Sequence, residues 1–240
     1  MRLDKFLAHT GFGTRKEVKD IIKKGNVSVN NQLVKIDKTQ IDPNKDIVKV
    51  NNEIIYYEEY VYYMLNKPSG YVSATEDQLH PTVVDLITDY YREDIFPVGR
   101  LDIDTEGLLI ITNDGGLAHQ LLSPKKHCPK VYYAKINGIV TENDVEAFQK
   151  GIVIDGEYQC QSAKLCIKNI DMGISEIEVE IYEGKFHQVK KMFLAVGKEV
   201  IYLKRIRMKT LELDNQLNLG EYRRLTDEEL YRLKNESVLQ

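Results

Sequence analysis

"VGRLDIDTEGLLIITNDG", residues Val98 to Gly115, decides how the rest of the chain is read. Leu108 to Ile111 are consecutive apolar residues, the pattern of a strand covered on both faces. Directly ahead of them stand Arg100, Asp102 and Asp104. Charge set against a buried strand needs a reason, either a carboxylate that caps a turn or chemistry at the strand's end. Outward from the central segment at 107–113, strand-like segments recur at 61–65, 132–138, 152–167, 174–182 and 199–213. Helices are expected to start at HPTVVDLI, to run from about Phe186 to Val196, and to start at Thr226, where Thr-Asp-Glu-Glu forms a capping box. Strands dominate without regular βαβ alternation, so an α+β protein with a mixed, mostly antiparallel sheet is predicted.

With 240 residues and 42% hydrophobic content, the chain can bury one substantial core and a small second one. No apolar run reaches the roughly 18 residues of a membrane span. The opening MRLDKFLAHTGFG lacks the apolar heart of a signal peptide, so a cytoplasmic protein with no membrane partner is expected. Cys128, Cys160 and Cys166 form no CxxC pair, and the histidines show no HExxH spacing. Neither a disulfide framework nor a metal site is expected. The net charge of −4 is unevenly spread: residues 1–50 carry 11 Lys and Arg against 6 Asp and Glu, the remainder 22 against 31. This asymmetry suggests two functional regions, with a boundary near Glu58-Glu59 that gives domains over 1–58 and 59–240.

In the first region Thr14-Arg15-Lys16-Glu17 has capping-box form and Gly25 suits a helix end. Between them Val18, Ile21 and Ile22 form an apolar stripe. Arg15, Lys19 and Lys23 recur every four residues on another face, joined by Lys16 and Lys24. VSVNNQLV, residues 27–34, alternates around Asn30-Asn31 as a tight hairpin does. A basic helix face is either an ordinary solvated surface or a phosphate-binding one, and charge by itself leaves both open.

RLDKFLAHTGFGTRKEVKDIIKKGNVSVNNQLV resembles the S-four-like domain, a small RNA-binding module shared by a small-subunit ribosomal protein and several RNA-modifying enzymes. GRLDIDTEGLLIITNDG closely resembles the signature of the RsuA/RluB/RluE/RluF group of pseudouridine synthases. NKPSGYVSA (66–74), KVYYAKI (130–136) and EGKFHQVKKMFLAVG (183–197) extend that likeness over nearly the whole chain. The resemblance implies a small N-terminal RNA-binding α/β module followed by a catalytic domain. The implied reaction turns uridine into pseudouridine by breaking the N1–C1′ bond and rejoining the base through C5. No atom is gained or lost, so no cofactor and no metal is expected.

By the same resemblance Asp102 is the catalytic carboxylate, a group able to attack or stabilise an electron-poor carbon. Tyr132 is the base for the C5 proton, and Lys190 the cation that pairs with the aspartate and helps keep it ionised. Arg100 would contact the displaced nucleotide and Val189 wall the base, since a uridine inside folded RNA must be taken out of its stack. Tyr132 and Tyr133 are adjacent, and strand register decides which faces the cleft. Asp104 with Thr105 is read as holding the turn, and His187 as structural. Ala134, where a larger aliphatic residue is usual, and Lys191, where arginine is common, depart from the family pattern. LLSPKKHCPKVYYAKI is more similar to members acting on small-subunit (16S) rRNA. The expected partner is therefore 16S rRNA within an assembling small subunit, and the expected state a monomer. The alternatives are 23S rRNA, a catalytically silent rRNA-binding assembly factor, and a hydrolytic glycosidase.

Overall fold

A computed structural model describes residues 1–88, 94–123 and 126–235. The chain folds as two compact units, 1–60 with 87–95, and 61–86 with 96–240.

The first unit begins with α1 (Leu3–His9) and α2 (Arg15–Lys23). The Thr14 hydroxyl accepts from the Glu17 amide while the Glu17 carboxylate accepts from the Thr14 amide at 2.8 Å, so the capping box is complete and α2 starts where its sequence says. Strands β1 (Val27–Val29) and β2 (Gln32–Leu33) close a hairpin on Asn30 and Asn31, both left-handed at φ 51 and 63. With β3 (Val48–Val50) and β4 (Glu53–Ile55) they form a sheet of order β2-β1-β3-β4. Leu3, Phe6, Leu7, Val18, Ile22, Val27, Val48 and Val50 are its core. One face of α2 is thereby committed inward, which leaves its lysines outward.

The second unit contains β5 (Tyr62–Lys67), β6 (Phe96–Pro97), β7 (Glu106–Thr112), α3 (Gly115–Leu122), β8 (Lys130–Asn137), α4 (Glu142–Lys150), β9 (Val153–Ile154) and β10 (Tyr158–Gln159). There follow β11 (Lys164–Asp171), β12 (Ile174–Ile181), α5 (Gln188–Ala195), β13 (Glu199–Met208), β14 (Leu211–Glu212), β15 (Tyr222–Arg224) and α6 (Asp227–Asn235). The main sheet runs β11-β12-β8-β13-β7-β5-β15, with β14 on β13 and β6 on β7. Its pairs are antiparallel except β13 with β7, so the sheet is mixed and mostly antiparallel. Leu108 and Ile110 join Met64, Val98, Leu117, Leu121 and Met208 in one core, while Leu109 and Ile111, pointing to the other face, are also fully buried. Gly107 takes φ 99, and a Cβ there would lie 2.2 Å from the Arg205 carbonyl. The glycine ahead of the apolar run is what lets the parallel pair close.

Three sequence expectations are corrected. HPTVVDLI gives a single 3-10 turn, Val84–Leu86, among the described residues, with the rest of the expected helix reaching 89–93, outside them. The run 152–167 breaks into β9, β10 and the start of β11, because Asp155 and Gly156 turn the chain with positive φ. The run 199–213 breaks at Lys209, φ 56, which folds β14 back on β13.

Candidate active site

Asp102 lies on a turn at the mouth of β7, closed by the Thr105 amide on the Asp102 carbonyl at 3.0 Å. The segment after β5 holds this turn from beneath. Lys67 is fully buried, and its ammonium donates among the carbonyls of Thr105 (2.8 Å), Pro68 (3.0 Å), Asp102 (3.1 Å) and Ile103 (3.2 Å). Burial pushes its pKa down to about 8, against the pull of Asp104, Asp102 and Glu106. The Gly70 amide donates to the Ile103 carbonyl at 2.8 Å. Ser73 Oγ donates to the Leu101 carbonyl at 2.9 Å and accepts from the Leu101 amide at 3.0 Å. NKPSGYVSA is thus a clamp that fixes the backbone under the carboxylate.

The other wall is the start of α5. His187 is its N-cap at φ 53, and its Nε2 lies 3.6 Å from Asp102 Oδ1. Lys190 Nζ lies 3.5 Å from Asp102 Oδ2 but 2.6 and 2.8 Å from the two Asp104 oxygens. Burial raises the Asp104 pKa, but the hydrogen bond and charge of Lys190 outweigh it and hold Asp104 below the usual carboxylate range. The Asp104 carboxylate also takes a hydrogen bond from its own backbone within the turn. It shares the Lys190 cation with Asp102, because on a turn, unlike a strand, residues two apart both reach the same partner. At the first position of α5, Gln188 is buried, donating to Glu183 Oε1 and accepting from the Lys185 amide, both at 2.8 Å.

Register places the tyrosines on opposite faces. Tyr132 is buried in the cavity wall, whereas Tyr133 packs edge-on against Tyr202, whose hydroxyl donates to Glu106 at 2.7 Å. A narrow cavity of about 60 Å³ brings Arg100, Asp102, Tyr132, His187 and Val189 together. Lys190 approaches through Asp102 rather than by lining that space. A wider opening of about 350 Å³ adds Ile103 and Phe186, whose exposed ring stacks on His187 at 3.8 Å. Arg15, Lys16, Lys19, Lys23 and Lys24 belong to the first unit. All are exposed except Lys19, which is half-buried and 3.7 Å from Asp37. No group of three His, Cys, Asp or Glu able to hold a metal occurs among the described residues.

Sequence reasoning missed Lys67 as the pin of the turn and His187 as a neighbour of Asp102. The signal for Lys67 was its place at the end of a buried strand, where a lysine must find partners.

The geometry can present a carboxylate beside an imidazole, a lysine cation and a phenol to a flat ring. A family model described as RNA pseudouridylate synthase matches residues 61–195, and one described as S4 domain matches residues 1–47. An uncharacterized RNA pseudouridine synthase of Bacillus subtilis is 50% identical, over 97% of this chain and 98% of that protein. The ribosomal small subunit pseudouridine synthase A of Haemophilus influenzae is 37% identical over 97% and 99%. The ribosomal large subunit pseudouridine synthase B of Bacillus subtilis is 38% identical over 97% and 95%. A crystal structure of a pseudouridylate synthase superimposes with a TM-score of 0.68 at 36% identity, covering 97% of this chain and 99% of the other.

Proposed function

Since the chain belongs to the RNA pseudouridylate synthase family, we propose that it isomerises uridine in ribosomal RNA, and that its target is a single uridine of 16S rRNA within an assembling small subunit. The observation that carries the reaction is the cavity in which Asp102 and Tyr132 meet, with Lys190 at the carboxylate. The target nucleotide leaves its stack and enters between Val189 and Tyr132, with Arg100 at the rim. Asp102 is the catalytic carboxylate that acts on the electron-poor carbon while the N1–C1′ bond breaks. The base turns, C5 bonds to C1′, and Tyr132 takes the C5 proton while its own phenolic proton passes on and N1 gains one, so the proton count is unchanged. Lys190 is the cation that pairs with Asp102.

The first part of the chain, residues 1–58, supplies a separate RNA contact through Arg15, Lys16, Lys19, Lys23 and Lys24, and residues 59–240 carry the reaction. Identity does not divide the small-subunit relative at 37% from the large-subunit relative at 38%. The reading of 16S therefore rests on the stretch LLSPKKHCPKVYYAKI. A cytoplasmic monomer suits that substrate.

Mapping pseudouridine in both rRNAs from cells with and without the gene tests the proposal. One 16S position should lose the modification in the deletion strain. Loss at a 23S position instead would move the substrate, and no loss anywhere would overturn the reaction. Because every atom of the nucleotide is retained, activity on pre-folded RNA should survive treatment of the protein with a chelator.

A further inference from the structure

Beside the cavity at Asp102 lies a second one of about 430 Å³, which shares Arg100, Tyr132, Gly184 and Lys185 with it. Its inner wall holds Arg205, only 2% exposed in the middle of the sheet. Arg205 Nε donates to the Leu108 carbonyl at 2.8 Å, but Nη2 has no partner among the described residues. Among the described residues no carboxylate pairs with this guanidinium. Lys130, also buried, lines the same wall with its ammonium on the Cys128 carbonyl at 3.0 Å. Burial lowers the Lys130 pKa and the Arg205 charge adds to this, against the pull of Cys128 and Glu183. Glu183 is the cavity's own carboxylate, and it already accepts from the Tyr158 hydroxyl (2.6 Å), the Gln161 amide (2.9 Å) and Gln188 Nε2 (2.8 Å).

A buried cation with an idle donor is costly unless something anionic completes it. Arg205 and Tyr132 are direct cross-strand partners, so their side chains share one face of the sheet, and both line this cavity. Lys185, over the Tyr158 ring at 4.4 Å, adds a cation at the outer edge of the cavity. We propose that this second cavity is a phosphodiester subsite, in which Arg205 with Lys130 holds a backbone phosphate adjoining the target uridine. This deepens the reading above and rests on the uridine binding at Asp102. A guanidinium fork suits two phosphate oxygens, and a phosphate fixed there sets how far the flipped nucleotide enters the site. Arg205 is in this account a substrate-binding residue that works through the RNA backbone rather than on the uracil.

Phosphate ethylation interference on full-length rRNA transcript tests this, since each ethylated phosphate is neutral. With the whole wild-type enzyme, molecules that acquire pseudouridine should be depleted in ethylation at a phosphate within one nucleotide of the target. With Arg205→Met that depletion should vanish while depletion at more distant phosphates persists. On unmodified RNA the variant should lose about ten- to a hundredfold in kcat/KM, the loss of one charge-assisted hydrogen bond. Conversion by the wild type with no depletion at a flanking phosphate overturns the subsite and leaves the reaction standing, and this arm needs no folded variant. Depletion that stays unchanged in Arg205→Met overturns it equally. Failure of the wild type to make pseudouridine in any rRNA overturns the reaction, and the subsite with it.

Discussion

In the N-terminal unit Arg15, Lys16, Lys23 and Lys24 stand exposed on one helix face, whereas in the larger unit Lys67, Lys130 and Arg205 are buried within the sheet and its loops. An exposed cation keeps its water, costs little to place, and is screened by salt, so a surface of them acts by sum and each member is replaceable. A buried cation has given up its water and is tied to specific acceptors, as Lys67 is to carbonyls of the Asp102 turn. Substitutions should therefore be small and additive in the first unit and large one residue at a time in the second.

The most severe break of that contrast is at Asp102 itself. Asp102→Asn keeps shape and turn propensity while removing the charge, so pseudouridine formation should fall below detection with rRNA affinity near wild type. Asp104→Asn removes the nearer partner of Lys190 but no reacting group, and should cost about tenfold in kcat, one hydrogen bond to a charged group. A direct assay of pseudouridine on transcript decides it. Near-normal conversion by a folded Asp102→Asn enzyme would sink the assignment.

Next in size is Lys67→Met. Leaving buried carbonyls without their donor should destabilise the protein by about 1–3 kcal/mol. Release of the turn should lower kcat by about a hundredfold, with KM little changed, because small misplacements of a reacting group are costly. Thermal unfolding and steady-state kinetics measure the two effects separately. A loss of stability with unaltered kcat would make Lys67 purely structural and weaken the contrast.

The same division governs what could be read from sequence. The capping box at Thr14, the hairpin at Asn30-Asn31 and the doubly covered strand at Leu108–Ile111 are local patterns, and each forms where it reads. Helix α1 was not foreseen, and neither were α3, which opens on Gly115-Gly116, and α4, whose capping box has Asp144 in place of Glu. Tertiary packing, not propensity, settles such segments. Within the site, the family motifs singled out Asp102, Tyr132 and Lys190, and alternation along β8 separates Tyr132 from Tyr133. Lys67 and Arg205 were invisible as participants because, the neighbouring Pro68 carbonyl apart, their hydrogen-bond partners come from residues 35 or more positions away in sequence. No local period encodes such a pairing. Lys190 was legible as a cation near the aspartate, but its preference for Asp104 depends on turn geometry.

The smallest expected effect sharpens the other half of the comparison. Replacing Arg15, Lys19 and Lys23 together by Gln leaves Val18 and Ile22 in the core and the Thr14–Glu17 box intact, so the unit should fold as before. If these cations meet phosphates, rRNA affinity should drop by roughly three- to tenfold at moderate salt, and the salt slope should shrink by roughly 0.9 for each phosphate no longer neutralised on duplex-like RNA. The three should not contribute equally. Lys19 is half-buried and already 3.7 Å from Asp37, so part of its charge is spent within the protein. Lys19→Gln should therefore cost less than Arg15→Gln or Lys23→Gln, and kcat at saturating RNA should stay at the wild-type value in all of them. Salt-dependent filter binding with each single variant measures this. Unchanged affinity and slope in the triple variant would return the helix to an ordinary solvated face, and a fall in kcat at saturating RNA would show that the exposed cations act on the chemistry and that the two units do not divide the work.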